Sequence, residues 1–316
     1  FAMLTVKPKR LPRMDFSEGI PEEFRTLVVV PCMLSSKTEI AVLIRSLEIA
    51  YLANRDDRLH FGLLTDFKDS PAEIEPEDSE FREFARAEME KLNRRYSNST
   101  ADIFYLFHRP RLWNPREGIW MGHERKRGKL GDLNRLLRGR ANGSFETVTG
   151  GCAVFAQIRY VITLDSDTLL PRDAARQMIE TMAHPLNRPR YDEDKGCVTG
   201  GYGILQPRVT LSLSGMKRSL YARMYTNEWG IDPYTRSVSD VYQDLFGEGS
   251  FIGKNLRCRC FRQGAWVALP GQSDSQSRSV GGVLYSFGAF KRCAALRGVS
   301  GLLSRRREPP SPLDSR

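Results

Sequence analysis

The sequence predicts an α/β fold: a doubly wound, mostly parallel sheet flanked by helices. Two patterns carry that expectation. Short continuous apolar runs recur along the chain, as in Thr26–Pro31 and Tyr160–Leu164, and such runs suit strands covered on both faces. Between them lie longer segments with apolar residues at helical spacing, as from Ser36 to Asn54. Strands alternating with helices form crossover units, and crossover units give parallel sheets. A chain of 316 residues can bury a large core of this kind.

The elements follow in order. Residues 1–24 are polar, basic and Pro-containing and read as an entry linker. Thr26–Pro31 is the first strand. Ser35 and Ser36 are cap candidates for the next helix, with Glu39 completing a capping box and Ile40, Leu43, Ile44, Leu47 and Tyr51 on one stripe. Leu59–Thr65 is a second strand ending at Asp66, and residues 67–79 form an acidic loop. Phe81–Tyr96 is a charged amphipathic helix and Asp102–Phe107 a third strand. Residues 109–128 show no periodicity but are rich in Trp, Arg and Gly. Leu130–Arg138 is a helix, Tyr160–Leu164 a fourth strand and Arg172–Ala183 a helix. Val198–Gln206 reads as a strand and Leu213–Trp229 as a helix.

Charge bounds the function. The chain carries +10 overall, but residues 255–316 hold ten Arg and one Lys against only Asp274, Glu308 and Asp314. The body is therefore nearly neutral, and the basic pI gives no ground for a nucleic-acid partner. No apolar run approaches the ~20 residues of a membrane helix. The six Cys form no C-x-x-C pair, so neither a zinc site nor a disulfide framework is indicated and a reduced cytosol fits. His60, His108, His123 and His184 form no ligand spacing. The chain opens on Phe1 without a secretory signal, and reads as a segment of something longer.

Asp165 and Asp167 follow the fourth strand directly. In extended backbone, residues two apart point to one side, so both carboxylates can reach one hard cation that also holds a nucleotide diphosphate. Ligands in open α/β sheets bind beyond the carboxyl ends of strands. The alternative is a plain turn with a capping Asp before the next helix. Asp66 lies on the same edge and can accept hydrogen bonds from a base or ribose, or be a solvated loop acid. Arg125, Lys126, Arg127 and Lys129 surround Gly128 just before an expected helix start, which suits a diphosphate, although no Walker pattern is present. Gly247–Lys254 is Gly-rich and contains Glu248, where backbone can approach a sugar closely. Trp229, Tyr225 and Tyr234 are stacking candidates.

Together "PRMDFSEGIP", "VVVPCML", "ERKRGKLGDLN", "ITLDSDT" and "GEGSFIGK", in this order between about Leu11 and Lys254, resemble the glycosyltransferase region of bacterial cyclic β-1,2-glucan synthases. The resemblance implies a GT-A-like fold over residues 25–254 and inverting transfer of glucose from UDP-glucose to a growing β-1,2-glucan, with Mg²⁺ or Mn²⁺. It implies that Asp165 and Asp167 hold the metal and diphosphate and that Asp66 sits near the uridine. Arg127 and Lys129 would face the donor's phosphates, with Glu248 and Trp229 near the acceptor. It also implies a large parent synthase at the cytoplasmic face of an inner membrane. A sugar-nucleotide nucleotidyltransferase, sharing an acidic pair on a similar sheet, is the alternative.

The resemblance stops after Lys254. The family would continue with motifs like "GIYDVDAF" and "RILSHDLLEG", the latter carrying the Asp expected to act as general base. Both can be written one base out of frame. With suitable synonymous codons, Arg257–Phe261 becomes Asp-Val-Asp-Ala-Phe and Ser273–Leu284 becomes Arg-Ile-Leu-Ser-His-Asp-Leu-Leu-Glu-Gly-Cys-Tyr. The expectation is a single-base frameshift near Lys254, a largely disordered tail over 255–316, and a chain that lacks its general base and polymerises little or nothing.

Overall fold

The computed structural model describes residues 11–96, 102–140, 143–150, 152–192, 197–205 and 256–258. The first strand, β1 (Thr26–Leu34), runs parallel to β2 (Leu59–Phe67), which runs parallel to β3 (Phe104–His108). On its other side β1 pairs in parallel with β7 (Tyr160–Thr163). Three antiparallel strands complete the sheet: β6 (Thr147–Thr149) beside β3, and β11 (Leu256–Cys258) beside β7 with β10 (Ile204–Leu205) outside it. The order is β10-β11-β7-β1-β2-β3-β6. The α/β, mostly parallel architecture expected from the sequence is therefore observed.

The run Leu27–Val30 is buried on both faces, as its unbroken apolar sequence requires. Its alternate side chains feed two cores. Val28 and Val30 join Phe61, Leu63 and Phe104 beneath α1 (Lys37–Ala53), α2 (Asp78–Tyr96) and α4 (Ala174–Ala183). Leu27 and Val29 join Leu64, Tyr105 and Phe107 beneath α3 (Arg125–Leu136) and a 3₁₀ turn, Cys152–Gln157. Fully burying a side chain such as Phe61 or Leu63 contributes roughly 1.5–3 kcal/mol. Gly62 in β2 is required by this packing, because a β-carbon there would lie 3.0 Å from the Phe107 ring and 3.3 Å from the Tyr105 carbonyl.

The first helix starts as its sequence indicates: the Ser36 hydroxyl accepts the Glu39 N–H at 3.2 Å. Its far end is tied to α4 by Asn54, whose amide donates to Pro171 O at 3.0 Å while its oxygen accepts the Ala175 N–H at 3.1 Å.

Several expectations are corrected. Residues 109–128 contain a hairpin, β4 (Leu112–Asn114) with β5 (Ile119–Met121). The expected strand Val198–Gln206 is two strands, β9 (Cys197–Gly200), paired with β8 (Arg190–Asp192), and β10. The chain turns between them at Gly201, whose φ of +68° suits glycine and where a β-carbon would lie 1.9 Å from the Arg188 carbonyl. Leu256–Cys258, in a segment with no strand period, forms β11. The expected helix Leu213–Trp229 lies outside the described residues.

Two buried histidines make stability depend on pH. Arg25 Nη1 donates to His60 Nε2 at 3.1 Å, so the ring proton sits on Nδ1, 3.2 Å from Asp102 O. Burial, and then the Arg25 cation, lowers the His60 pKa to about 4. His108, with Nδ1 2.9 Å from Thr65 Oγ1, is lowered to about 3, by burial first and then by Arg82. Both rings stay neutral while the unfolded chain protonates near pH 6.5, so the unfolded state binds more protons below that pH. Stability is expected to be unaffected by these groups above about pH 7 and to fall as the pH drops from 6.5 toward 5, by up to ~1.4 kcal/mol per pH unit for each histidine. Denaturant titrations across that window check the slope, which should be about halved in His108→Phe.

Candidate functional site

The parallel strands β1, β2, β3 and β7 end on one edge, and the strand order reverses between β1 and β7. That reversal opens the crevice where doubly wound sheets bind ligands. Helix α3 crosses this edge, and three of its residues at three-residue spacing reach successive partners. Lys126 pairs with Asp165, just beyond β7. Lys129 Nζ donates to Cys32 O of β1 at 2.5 Å and lies 3.1 Å from Asp66 Oδ2 of β2. Asp132 Oδ2 accepts from Arg109 Nη1, just beyond β3, at 2.6 Å.

Asp66 is 3% exposed, and so is neither a solvated loop acid nor a free acceptor. Its carboxylate is gripped in bidentate fashion by Arg109, Nε to Oδ1 at 2.9 Å and Nη2 to Oδ2 at 3.1 Å. Arg109 is 3% exposed, Lys129 4% and Asp132 7%, so two cations and two carboxylates form one buried, charge-balanced cluster. Burial disfavours the Arg109 charge, but the Asp66 and Asp132 carboxylates outweigh it and raise its pKa. Gly122 belongs to the same cluster, since a β-carbon there would lie 2.2 Å from Asp66 Oδ2. The neighbouring Cys32 thiol is pushed up to about 12 by burial, so it is an inert thiol in the folded chain.

The start of α3 is strained. Glu124 and Arg125 have φ of 50° and 48°, a left-handed conformation that costs a non-glycine residue on the order of 1–3 kcal/mol. Arg109 Nη2 offsets part of this by donating to His123 O at 3.1 Å and Arg125 O at 3.3 Å. Gly128 allows the chain to double back, because a β-carbon there would lie 2.0 Å from the His123 carbonyl. The helix thus begins at Arg125, inside the basic run, where sequence reasoning placed a turn ending at Leu130. Its first turn carries no acid, so Arg125, Lys126 and Arg127 stand at the positive end of the helix dipole. That arrangement is unfavourable by itself and becomes favourable when an anion sits there.

Asp165 and Asp167 are half-buried and exposed, respectively, facing outward rather than into the core. The backbone between them is a turn, with Thr168 N donating to Asp165 O at 3.0 Å, so extended alternation is not what relates the two side chains. Asp165 does not cap the following helix, whose N-cap position is Asp173. Among the described residues no group of three or more His, Cys, Asp or Glu side chains is gathered as a metal cage. Two outward carboxylates still match a Mg²⁺ or Mn²⁺ site, since such ions commonly take one or two protein carboxylates and complete their shell with substrate phosphates.

No protein-family model matches the chain. Over 254 residues, 80% of its length, it is 48% identical to the cyclic beta-(1,2)-glucan synthase NdvB of Rhizobium meliloti (strain 1021). The chain thus corresponds to a segment of a cyclic β-(1,2)-glucan synthase. It spans 9% of the length of the NdvB synthase, so most of such a synthase lies outside this comparison.

For a glucan-synthase segment, the edge of the sheet brings together Asp66, Lys129 and Asp165, with Asp167 beside them in the turn. Arg127 is not brought in: its guanidinium folds back on Glu124, with Nε 3.1 Å from Oε2. Trp229 and Glu248 lie outside the described residues. Sequence reasoning missed Arg109 and Asp132 as cluster members and did not separate Lys126 from the other bases. The i, i+3, i+6 series 126, 129, 132 was the available signal, because it lies along one side of a helix.

Removing one partner of a buried pair strands the other's charge. Arg109→Leu is expected to cost about 3–5 kcal/mol in denaturant titrations. Lys129→Met should cost less, because Asp66 keeps Arg109. Gly122→Ala should approach the Arg109→Leu loss by forcing the Asp66 carboxylate out of place.

Proposed function

We propose that this chain forms the donor side of an inverting glycosyltransferase that moves glucose from UDP-glucose to a growing β-1,2-glucan. The supporting observation is the basic first turn of α3 lying across the switch-point edge beside Asp165 and Asp167. Lys126, released from Asp165 once a cation takes that carboxylate, and the positive end of that helix are the anion-binding side. Lys129 contributes from beneath, fixing the edge of β1 to Asp66, and Asp66 forms the floor near the uridine. A divalent cation held by Asp165 and Asp167 would, when bound, neutralise charge on the leaving diphosphate. Trp229 and Glu248 keep the acceptor role that the resemblance implies for them. The parent synthase would carry this chemistry at the cytoplasmic face of a membrane; no helix among the described residues is long and apolar enough to cross one.

The transfer itself needs a carboxylate to take the acceptor's hydroxyl proton, a contribution of typically 10²–10⁴-fold. With suitable synonymous codons the motif that should supply it can be written one base out of frame, and we propose a single-base shift near Lys254 as the reason. Sequencing the gene across this point tests that part; a frame in which no family motif emerges one base on would end it.

Titration of the purified chain with UDP and Mn²⁺ is expected to show binding that depends on the metal and weakens at least about tenfold in Asp165→Ala, the scale of one lost charge-assisted contact. Incubation with UDP-glucose and either metal is expected to yield no β-1,2-glucan. Metal-independent binding, equal binding by the variant, or binding of nucleoside triphosphate with sugar phosphate in preference to UDP-glucose would each overturn the reading.

A further inference from the structure

The β4–β5 hairpin is built more firmly than a loop needs and displays more aromatic surface than a fold needs. Trp113 faces Trp120 directly across the hairpin, with ring centroids 5.7 Å apart and planes inclined at 59°. Trp113 is 50% exposed and Leu112 53%, whereas Met121 opposite Leu112 is buried at 1%. A cross-strand Trp pair stabilises a hairpin through the faces that touch. That role leaves unexplained why half of the largest side chain in the hairpin is turned to solvent.

Both feet of the hairpin are clamped. Ser70 and Trp120 exchange two backbone hydrogen bonds of 2.9 Å. Arg111, immediately before β4, donates to Lys68 O at 2.6 Å and to Asp78 Oδ1 at 3.0 Å. Gly122, immediately after β5, abuts Asp66. The aromatic pair is thereby fixed relative to the cluster under the candidate donor site.

Polar groups flank it. Arg125 Nη2 lies 2.7 Å from Asp69 Oδ2 and 4.0 Å from Glu117 Oε2, in the hairpin turn. The Arg125 Nε–H is buried with no hydrogen-bond partner. One guanidinium against two carboxylates leaves a small negative excess, which disfavours an anionic lipid or nucleic acid. It suits a neutral polyol, whose neighbouring hydroxyls bridge carboxylate and guanidinium while the C–H face of the sugar ring lies on the negative face of an indole.

We propose that the outer face of this hairpin, with Trp113 as stacking surface and Trp120 as its support, is a carbohydrate platform that holds a segment of β-linked glucan beside the donor site. This rests on the glucosyl-transfer reading above for the identity of the sugar. It adds a binding surface separate from the acceptor residues Trp229 and Glu248.

The test is titration of the full chain with β-1,2-linked glucose oligosaccharides, followed by the indole N–H resonances of its four Trp residues. Trp113→Phe and Trp120→Phe assign two of these resonances. Shifts of the Trp113 and Trp120 signals are expected, alongside that of the acceptor residue Trp229. Affinity should fall about tenfold in Trp113→Ala and be largely restored in Trp113→Phe, as one aromatic contact predicts. Shifts confined to other indoles, unchanged affinity in Trp113→Ala, or no oligosaccharide binding by a chain that still binds UDP with metal would overturn the platform and leave the donor reading standing. Failure to bind either ligand would sink both. Unchanged circular dichroism of Trp113→Ala separates lost stacking from a lost hairpin.

Discussion

The site is organised by a buried ion cluster, Asp66, Arg109, Lys129 and Asp132, rather than by the apolar core alone. Taking four charges out of water is costly, and the attraction among them roughly offsets that cost without a large net gain. What the cluster supplies is position. Arg109 leaves β3 and holds β2 through Asp66, helix α3 through Asp132, and the approach to that helix through two backbone carbonyls. Lys129 adds β1 through the Cys32 carbonyl. With those four points fixed, the helix has one register, and in that register Lys126 meets Asp165 across the switch point. The left-handed pair Glu124–Arg125 persists for the same reason, since surrounding contacts over-determine it.

What the sequence revealed and what it hid divide along physical lines. Strands such as β1 and β2 were legible because continuous apolar runs have few alternatives, and the start of α1 because Ser36 caps it locally. The start of α3 was not legible. No Ser, Thr, Asp or Asn precedes Arg125, the first turn carries charges of the wrong sign, and what fixes it is an arginine 16 residues upstream. The hairpin was hidden because three-residue strands carry no measurable period. Asp66 was placed on the correct edge, but its burial depends on Arg109, 43 residues away, and pairing at that distance leaves no local trace. The outward-facing acids after β7 were found by their position at a strand end, although the turn between them does not follow the extended geometry that prompted the search.

The strand formed by Leu256–Cys258 bears on the reading of the chain's last fifth. Those residues lie in a segment with no strand period of its own, yet they pair antiparallel with β7 between Tyr160 and Ile162. The two observations are compatible, because a sheet ladder is made by backbone N–H and C=O groups that every residue except proline supplies. Without β11 the hydrogen-bonding edge of β7 next to the candidate site would be open, and an open edge recruits whatever extended segment the chain delivers. Leu256–Cys258 serve that edge through their backbone, whatever their side chains. Catalysis has no such tolerance. A general base must be a carboxylate at one place, so a segment whose backbone completes a ladder need not thereby supply a proton acceptor.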